Sequence, residues 1–246
     1  MKKLVAYITS GYPEKSFTID LALALGQNGV DTLELGVPFS DPVADGPLIE
    51  AANHKSLELG FKFEHLREIS SAVAPHVDTL WMGYFNSFYQ QDMSKLIPFA
   101  NEIGVNGLII PDLPHEEALS YNELFTSNNV ANISFVAPTD SEERIKEVVS
   151  ASQKFIYMVA YTGITGSGKA EDLQPFLSSI KKYTDTPVYV GFGVNAQTAK
   201  AKVEGADGVI VGSAFIEILL KENLNYSQKI RECSDLAKII KNKINS

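Results

Sequence analysis

Short runs of apolar, often β-branched residues alternate with amphipathic stretches of helical period along the whole chain. The alternation predicts eight β-strands, each followed by helical residues. The predicted strands cover residues 4–9, 32–36, 79–84, 107–112, 132–138, 155–161, 188–192 and 208–212. Because these runs are continuously apolar rather than strictly alternating, the pattern is typical of a parallel sheet that helices cover on its outer face.

The segments between the strands complete this pattern. Helices are predicted within residues 16–29, 93–104, 141–153 and 195–206, and an extra C-terminal helix over residues 226–244. Eight β-then-α units in 246 residues predict an α/β fold, a (β/α)8 TIM barrel. No linker or shift of composition divides the chain, so residues 1–246 are predicted to form a single TIM-barrel domain. A doubly wound open sheet is the alternative, but no GxGxxG motif follows the first strand.

Charge and apolar content exclude several classes of function. With 21 basic and 30 acidic residues, the net charge is −9, so nucleic acid is a poor expected partner. The N-terminal apolar run stops at Gly11 without a cleavage site, and no stretch approaches the length of a membrane span. One cysteine, Cys233, fits a reducing compartment. We therefore expect a cytoplasmic protein that does not bind membranes.

An acidic residue interrupts the second predicted strand. Glu34 lies in the apolar run TLELGV, and the stiff loop PFSDPVADGP follows it with Asp41 and Asp45. In barrels of this kind, catalytic residues lie at the carboxyl ends of the strands and in the loops that follow. We expect Glu34 and one of the aspartates to share a pocket in different environments, which separates acid and base roles. The alternative is an exposed or lysine-paired glutamate at the strand end.

Glycines end the seventh and eighth predicted strands just before helices, at Gly193 and Gly212. Asn195 and Ser213 are the expected helix N-caps there. Backbone amides at such helix starts bind phosphate, and the loops after strands seven and eight are a frequent phosphate site in these barrels. The alternative is that the glycines only form tight turns.

Other features bear on the chemistry. Residues 161–170 contain three glycines and two threonines, which is typical of a mobile lid, although a surface loop without a role fits as well. The four histidines are isolated in the sequence, so no metal site is expected. No predicted strand contains a lysine, which argues against a Schiff-base aldolase.

The run ELGVPFSDPVADGP over residues 34–47 resembles the signature of the tryptophan synthase alpha chain family. Further similar segments follow in order along the chain, at residues 9–13, 111–117, 163–166, 191–194 and 212–214. The resemblance implies cleavage of indole-3-glycerol phosphate to indole and glyceraldehyde 3-phosphate. It also implies a beta chain partner in an α2β2 tetramer, with pyridoxal phosphate in the beta chain and no cofactor in this one.

The resemblance also assigns residues. It implies Glu34 and Asp45 as the catalytic pair. It places Thr165 in the lid, phosphate binding at Gly166, Gly193, Gly212 and Ser213, and the pocket lining at Tyr157, Phe192 and Ile210. Two departures stand out: no helix precedes the first strand, and Tyr161-Thr162 replaces the Arg-Ser that is usual before the lid glycine.

Two other functions remain open on the sequence. One is a different phosphate-binding barrel, such as indole-3-glycerol phosphate synthase or a sugar-phosphate isomerase, although the synthase requires a lysine on a strand. The other is a catalytically silent subunit that binds a phosphate ligand and regulates a partner. The presence of both Glu34 and Asp45 argues against a silent subunit.

Overall fold

The computed structural model describes residues 1–159 and 173–246, and within them nine strands pair in parallel into one sheet. The strands are β1 Lys3–Thr9, β2 Thr32–Gly36, β3 Asp78–Met82, β4 Val105–Ile109, β5 Ala131–Asn132, β6 Ser134–Val136, β7 Ile156–Val159, β8 Val188–Gly191 and β9 Gly208–Val211. We call the end of the sheet at the strands' carboxyl ends the mouth and the opposite end the floor.

The sheet closes on itself through one strand segment. Its order is β5-β4-β3-β2-β1-β9-β8-β7-β6, so β5 and β6 are its two ends. These two strands are consecutive in the chain and separated only by Ile133, whose N–H donates to the Leu108 carbonyl at 2.9 Å. The fifth predicted strand is therefore present as two short strands, one paired with β4 and one with β7. The predicted eight-stranded parallel barrel is confirmed.

Helices follow the strands. They are α1 Lys15–Gln27, α2 Pro47–Glu58, α3 Phe63–Val73, α4 Phe85–Tyr89, α5 Met93–Glu102, α6 His115–Ala118, α7 Asn122–Ser127, α8 Glu142–Ser150, α9 Gln174–Ile180, α10 Ala199–Lys202, α11 Ser213–Leu220 and α12 Tyr226–Ile244. A single 3-10 turn, Leu119–Tyr121, joins α6 to α7. The extra C-terminal helix α12 lies at the predicted residues. No helix of the described part is long and apolar enough to cross a membrane.

Apolar residues fill the space between sheet and helices and also the barrel interior. The interior cluster contains Val5, Leu80, Ile109, Ala131, Ile133, Phe155, Tyr189 and Ile210, with Met82, Phe135 and Tyr157 packed against it. The interior of such a barrel is a packed core rather than a pore. Within the barrel itself, space for a ligand therefore lies at the mouth.

Two tyrosines of the interior depend on glycines of neighbouring strands. A Cβ at Gly36 would lie 2.3 Å from the Tyr7 hydroxyl oxygen, and a Cβ at Gly191 would lie 2.3 Å from Cε1 of Tyr157. Both distances are far below any real contact, so a side chain at either glycine would displace a ring. Because glycines occupy these two positions, two large aromatic rings can lie across the barrel just below the mouth.

Several strands end earlier than predicted. Strands β3, β4 and β8 end at Met82, Ile109 and Gly191, so the residues beyond them belong to the loops at the mouth. Strand β1 begins one residue earlier than predicted, at Lys3, and so contains a lysine. Its ammonium group lies at the floor, 3.2 Å from a carboxylate oxygen of Asp31, away from the carboxyl ends of the strands.

Candidate active site

A cavity of about 280 Å³ opens at the mouth. It is lined by Tyr7, Glu34, Ala44, Asp45, Gly46, Ile49, Met82, Ile109, Pro111, Phe135, Tyr157, Phe192, Gly193, Val194, Asn195, Ile210, Gly212, Ser213, Ala214 and Glu217. Eight of the ten site residues predicted from the sequence are among them. The other two, Thr165 and Gly166, lie outside the described residues, as does the predicted lid over residues 161–170.

Glu34 points into the barrel from the middle of β2. Its register partners are Tyr7 on β1 and Leu80 on β3, and only 2% of the residue is exposed. Its Oε1 atom is buried and has no hydrogen-bond partner among residues 1–159 and 173–246. Burial, reinforced by the nearby charge of Asp45, raises the pKa of Glu34 to about 8. At neutral pH this carboxyl group is therefore mostly protonated and able to donate a proton.

Asp45 reaches the cavity from the loop between β2 and α2. The Tyr84 hydroxyl donates to its carboxylate, and Asn53 Nδ2 donates to Oδ2 at 3.3 Å. The Tyr84 oxygen in turn accepts from the backbone N–H of Ala44 at 2.9 Å. Burial raises the pKa of Asp45 to about 6, and the bonds from Tyr84 and Asn53 limit that rise. At pH 7 Asp45 is therefore mostly ionised and able to accept.

The two carboxyl groups of the cavity thus differ in protonation at the same pH. One is a buried acid whose Oε1 has no partner within the described ranges, and the other is a carboxylate that two side chains orient. Such a pair of groups with separated pKa values can move a proton at one atom of a ligand while stabilising positive charge or an N–H group at another.

The part of the cavity formed by the residues after β8 and β9 is suited to an anion. Helix α11 begins here with Gly212 at its N-cap and no capping side chain. The amides of Ser213 and Ala214 are the first of the helix and have no acceptor inside it. Nearby, Phe192 and Gly193 both have left-handed backbone, with φ of 70° and 67°. Glycine adopts this conformation readily, whereas Phe192 is strained in it.

The predicted helix caps at this side are partly wrong. Ser213 is the first residue of α11, because Gly212 takes the N-cap position. Asn195 precedes α10 by a full turn, and its Oδ1 accepts from the N–H groups of Gln197 and Thr198 at 2.8 and 3.0 Å. Asn195 therefore caps the turn before the helix rather than the helix itself.

The loop after β2 holds its aspartates in different settings. Phe39 stacks on the Tyr84 ring, with centroids 5.0 Å apart, which ties the loop to the chain after β3. Asp41 is exposed and accepts from the Ser40 hydroxyl at 2.6 Å. Asp41 does not line the cavity, so Asp45 is the aspartate that shares it with Glu34.

Sequence reasoning missed three polar residues around the carboxyl pair. Tyr7 lies on β1, Asn53 on α2, and Tyr84 in the turn after β3. Tyr84 stands at the end of a predicted strand, so its position was a usable signal. The sequence contains no such signal for Asn53. It lies eight residues after Asp45, and only the packing of α2 brings it back to the loop.

No group of three or more metal-binding side chains is found in the described part of the chain.

Comparisons with known proteins agree with this geometry. The sequence model of the tryptophan synthase alpha chain family matches residues 1–245. The tryptophan synthase alpha chain of Wolinella succinogenes is 53% identical over 247 residues, covering 100% of this chain and 97% of the relative. That of Petrotoga mobilis is 37% identical, covering 98% and 95%.

Solved structures give the same result. The tryptophan synthase alpha subunit of Campylobacter jejuni superposes with a TM-score of 0.87 at 32% identity, covering 96% of this chain and 95% of that one. The subunit alpha of Legionella pneumophila has a TM-score of 0.89 at 29% identity, covering 99% and 93%. The chain belongs to the tryptophan synthase alpha chain family, the lyases of tryptophan biosynthesis that cleave indole-3-glycerol phosphate and work with a beta chain.

Proposed function

We propose that Glu34 and Asp45 carry the cleavage of indole-3-glycerol phosphate to indole and glyceraldehyde 3-phosphate in this chain. The observation that supports the proposal is the cavity at the mouth, which brings together a protonated carboxyl group, an ionised one and the first amides of helix α11. The substrate has an indole ring for the carboxyl groups and a phosphate group for the amides.

The bond that breaks joins indole C3 to the glycerol carbon that bears a hydroxyl group. Protonated Glu34 donates its proton to C3, and the ring nitrogen becomes positively charged. The N–H group then donates to ionised Asp45, which stabilises this charge. The Glu34 carboxylate removes the proton of the hydroxyl, the carbon–carbon electrons return to the ring, and a carbonyl forms. Glu34 ends protonated, as it began, and no further group is consumed.

The phosphate end of the substrate is assigned to the corner formed by Gly193, Gly212 and Ser213. The amides at the start of α11 supply hydrogen bonds and the positive end of the helix dipole. Tyr157, Phe192 and Ile210 are assigned to the ring-binding part of the cavity. Thr165 and Gly166 are assigned to the lid and phosphate contacts by the family resemblance alone.

The remaining assignments follow the family. We place the chain in an α2β2 tetramer, in the cytoplasm, with residues 1–246 as one domain. Pyridoxal phosphate is assigned to the beta chain, since the two carboxyl groups and the amides suffice for the cleavage. Indole leaves through the mouth, where the beta chain receives it.

The proposal is tested by adding indole-3-glycerol phosphate to the purified chain and measuring indole, with and without a cognate beta chain. We expect slow release of indole from the chain alone and faster release from the complex. A silent regulatory subunit would bind the beta chain and produce no indole in either mixture.

The phosphate assignment has its own test in Gly212→Val. A Cβ at Gly212 would lie 3.2 Å from Ile49 Cδ1 and 3.5 Å from Tyr7 Cβ, so valine fits only by filling the end of the cavity. We expect KM for the substrate to rise at least about 10-fold, because an anion loses its close approach to the amides. An unchanged KM in steady-state assays would place the phosphate elsewhere.

A further inference from the structure

Tyr7 presents a hydroxyl group at the carboxyl pair that the cleavage chemistry does not use. The residue is the register partner of Glu34, lines the same cavity, and is only 3% exposed. Its ring lies in the space that Gly36 leaves open, which restricts its movement. A phenylalanine would fill the same space, so packing does not explain the hydroxyl group.

The hydroxyl group leads to Asp45 through one intermediate. The Tyr7 hydroxyl donates to Asn53 Oδ1 at 3.5 Å, and Asn53 Nδ2 donates to Asp45 Oδ2 at 3.3 Å. Both bonds are long, as is common in active sites without substrate, where such contacts tighten when the ligand is bound. The three groups form a chain that runs from β1 through α2 to the loop after β2.

The direction of this chain is fixed by chemistry. An ionised carboxylate only accepts hydrogen bonds, so Asn53 must turn its NH2 group toward Asp45. Its carbonyl oxygen then faces Tyr7 and requires a donor, because Asn53 is 1% exposed and a buried acceptor without a partner is costly. A tyrosine supplies that donor. With the carboxamide reversed, NH2 would face the Tyr7 hydroxyl and the carbonyl would face the carboxylate, which repel.

Tyr7 also keeps its proton throughout the working pH range. Burial raises its pKa well above the usual value, and the charges of Asp45 and Glu34 raise it further. The hydroxyl group is therefore a permanent donor to Asn53.

We propose that Tyr7 is a positioning residue for the cleavage reaction, whose hydroxyl group fixes the orientation of Asn53 and thereby holds Asp45 toward the indole nitrogen. The inference rests on the proposed role of Asp45. Because Tyr7 acts through Asn53, its removal weakens the bond that keeps Asp45 ionised. The effect is thus predicted on the protonation of Asp45 and on turnover rather than on substrate binding.

Other groups near Asp45 contribute to its titration and stay constant in the test. They are Glu34 on β2, Glu50 on α2, Tyr84 after β3 and Tyr157 on β7, while Glu217 on α11 lines the same cavity.

The test compares Tyr7→Phe with a matched control, Tyr189→Phe. Tyr189 also lies in the barrel interior, where it stacks on Phe155 and crowds the Cβ position of Gly208, but it does not line the mouth cavity. For Tyr7→Phe we expect kcat to fall about 2- to 10-fold with KM changed less than about 2-fold. The acidic limb of the pH profile should move up by about half a unit.

The protonation of Asp45 can also be followed directly by NMR. In protein labelled with ¹³C at aspartate carboxyl groups, the Asp45 signal should titrate at higher pH in Tyr7→Phe than in the wild type and in Tyr189→Phe. Activity and titration like those of the control would overturn the inference. A fall of kcat without any movement of the acidic limb or of the carboxyl signal would equally overturn it.

The route through Asn53 is tested by a double variant. If Tyr7 acts through Asn53, Tyr7→Phe should cost little more in an Asn53→Ala background than Asn53→Ala costs alone. Fully additive losses would show that Tyr7 acts by another route. Asp45→Asn separates this inference from the proposed function: if that variant keeps wild-type turnover, the role of Asp45 itself is wrong.

Discussion

Asp31 and Glu34 lie three residues apart in the sequence but in opposite environments. Asp31 lies at the floor of the barrel, and Glu34 lies in its mouth half. Asp31 accepts from the Leu4 amide at 2.8 Å and pairs with Lys3 and Lys241. Burial alone would raise its pKa, but hydrogen bonds from Lys241 and Leu4 hold it below the usual value. Glu34 is buried but has neither of these partners, so burial raises its pKa to about 8.

Other floor carboxylates resemble Asp31. Asp78 accepts from Thr32 and Asn106, each at 2.7 Å, and pairs with Lys154 at 2.9 Å. Asp207 pairs with Lys181 at 3.0 Å and accepts from the Val188 amide. At the floor, charged pairs link neighbouring strands, whereas Glu34 at the mouth has no basic partner in the part of the chain that the structure describes. We therefore expect the floor carboxylates to contribute stability and the mouth carboxyl groups to carry the reaction.

The largest effect is expected for Glu34→Gln, which keeps the size of the side chain but removes its acid. We expect kcat to fall about 10²- to 10⁴-fold, the usual contribution of general acid–base catalysis. Indole release under single-turnover conditions measures it. A variant that retained more than half of the wild-type rate would remove Glu34 from the mechanism.

Although Glu34→Gln should lose activity, it should be more stable than the wild type as the pH rises. Since the folded-state pKa of Glu34 is raised above its unfolded value, the wild type loses stability as the pH rises from about 4.5 toward 8. Glutamine has no such loss. Between pH 5 and pH 7, urea unfolding should therefore show Glu34→Gln gaining about 2 kcal/mol on the wild type. An equal pH dependence of the two proteins would contradict the raised pKa.

Asp31→Asn, at the floor, should lower the stability of the protein and leave its activity unchanged. Lys3 and Lys241 lose their carboxylate, so the free energy of unfolding at pH 7 should fall by about 1–3 kcal/mol with kcat unchanged. Because the folded-state pKa of Asp31 is lowered, its contribution is present above its unfolded value near 4 and is lost as the pH falls through the folded one. A fall in kcat with unchanged stability would contradict this division between floor and mouth.

The pH profile of kcat/KM should reflect the two mouth carboxyl groups. In the proposed mechanism activity requires ionised Asp45 and protonated Glu34, so it should decline below about pH 6 and above about pH 8. Assays in constant ionic strength between pH 5 and pH 9 measure both limbs. A plateau through pH 9 would show that protonated Glu34 is not needed.

The smallest effect is expected at the rim, for Asp41→Ala. Asp41 is exposed on the loop that carries Asp45, so we expect the beta chain's activation to weaken by about 2- to 5-fold with basal turnover unchanged. Asp185→Ala, at an exposed aspartate on the floor, is the control and should change neither. Equal losses of basal and activated turnover would show that this loop serves chemistry alone.

Much of this molecule follows from local sequence. Continuous apolar runs predicted the strands, and the placement of Glu34 within such a run identified the cavity. The break at Ile133 was not predictable, because it depends on which neighbour each half of the strand meets. Tyr7 and Asn53 were missed for a similar reason, since only the register of β1 with β2 and the packing of α2 bring them to Asp45.

The strand that divides at Ile133 also gives the barrel a seam of short strand pairings. β5 shares two residue pairs with β4, and β6 shares three with β7, whereas β1 and β2 share five. A closed barrel has no edge, but opening at this seam creates two: the free sides of β4 and β7. Exposed edges invite pairing with other chains. We therefore expect amides of residues 131–136 to exchange early among the strands, and aggregation on mild destabilisation to begin there.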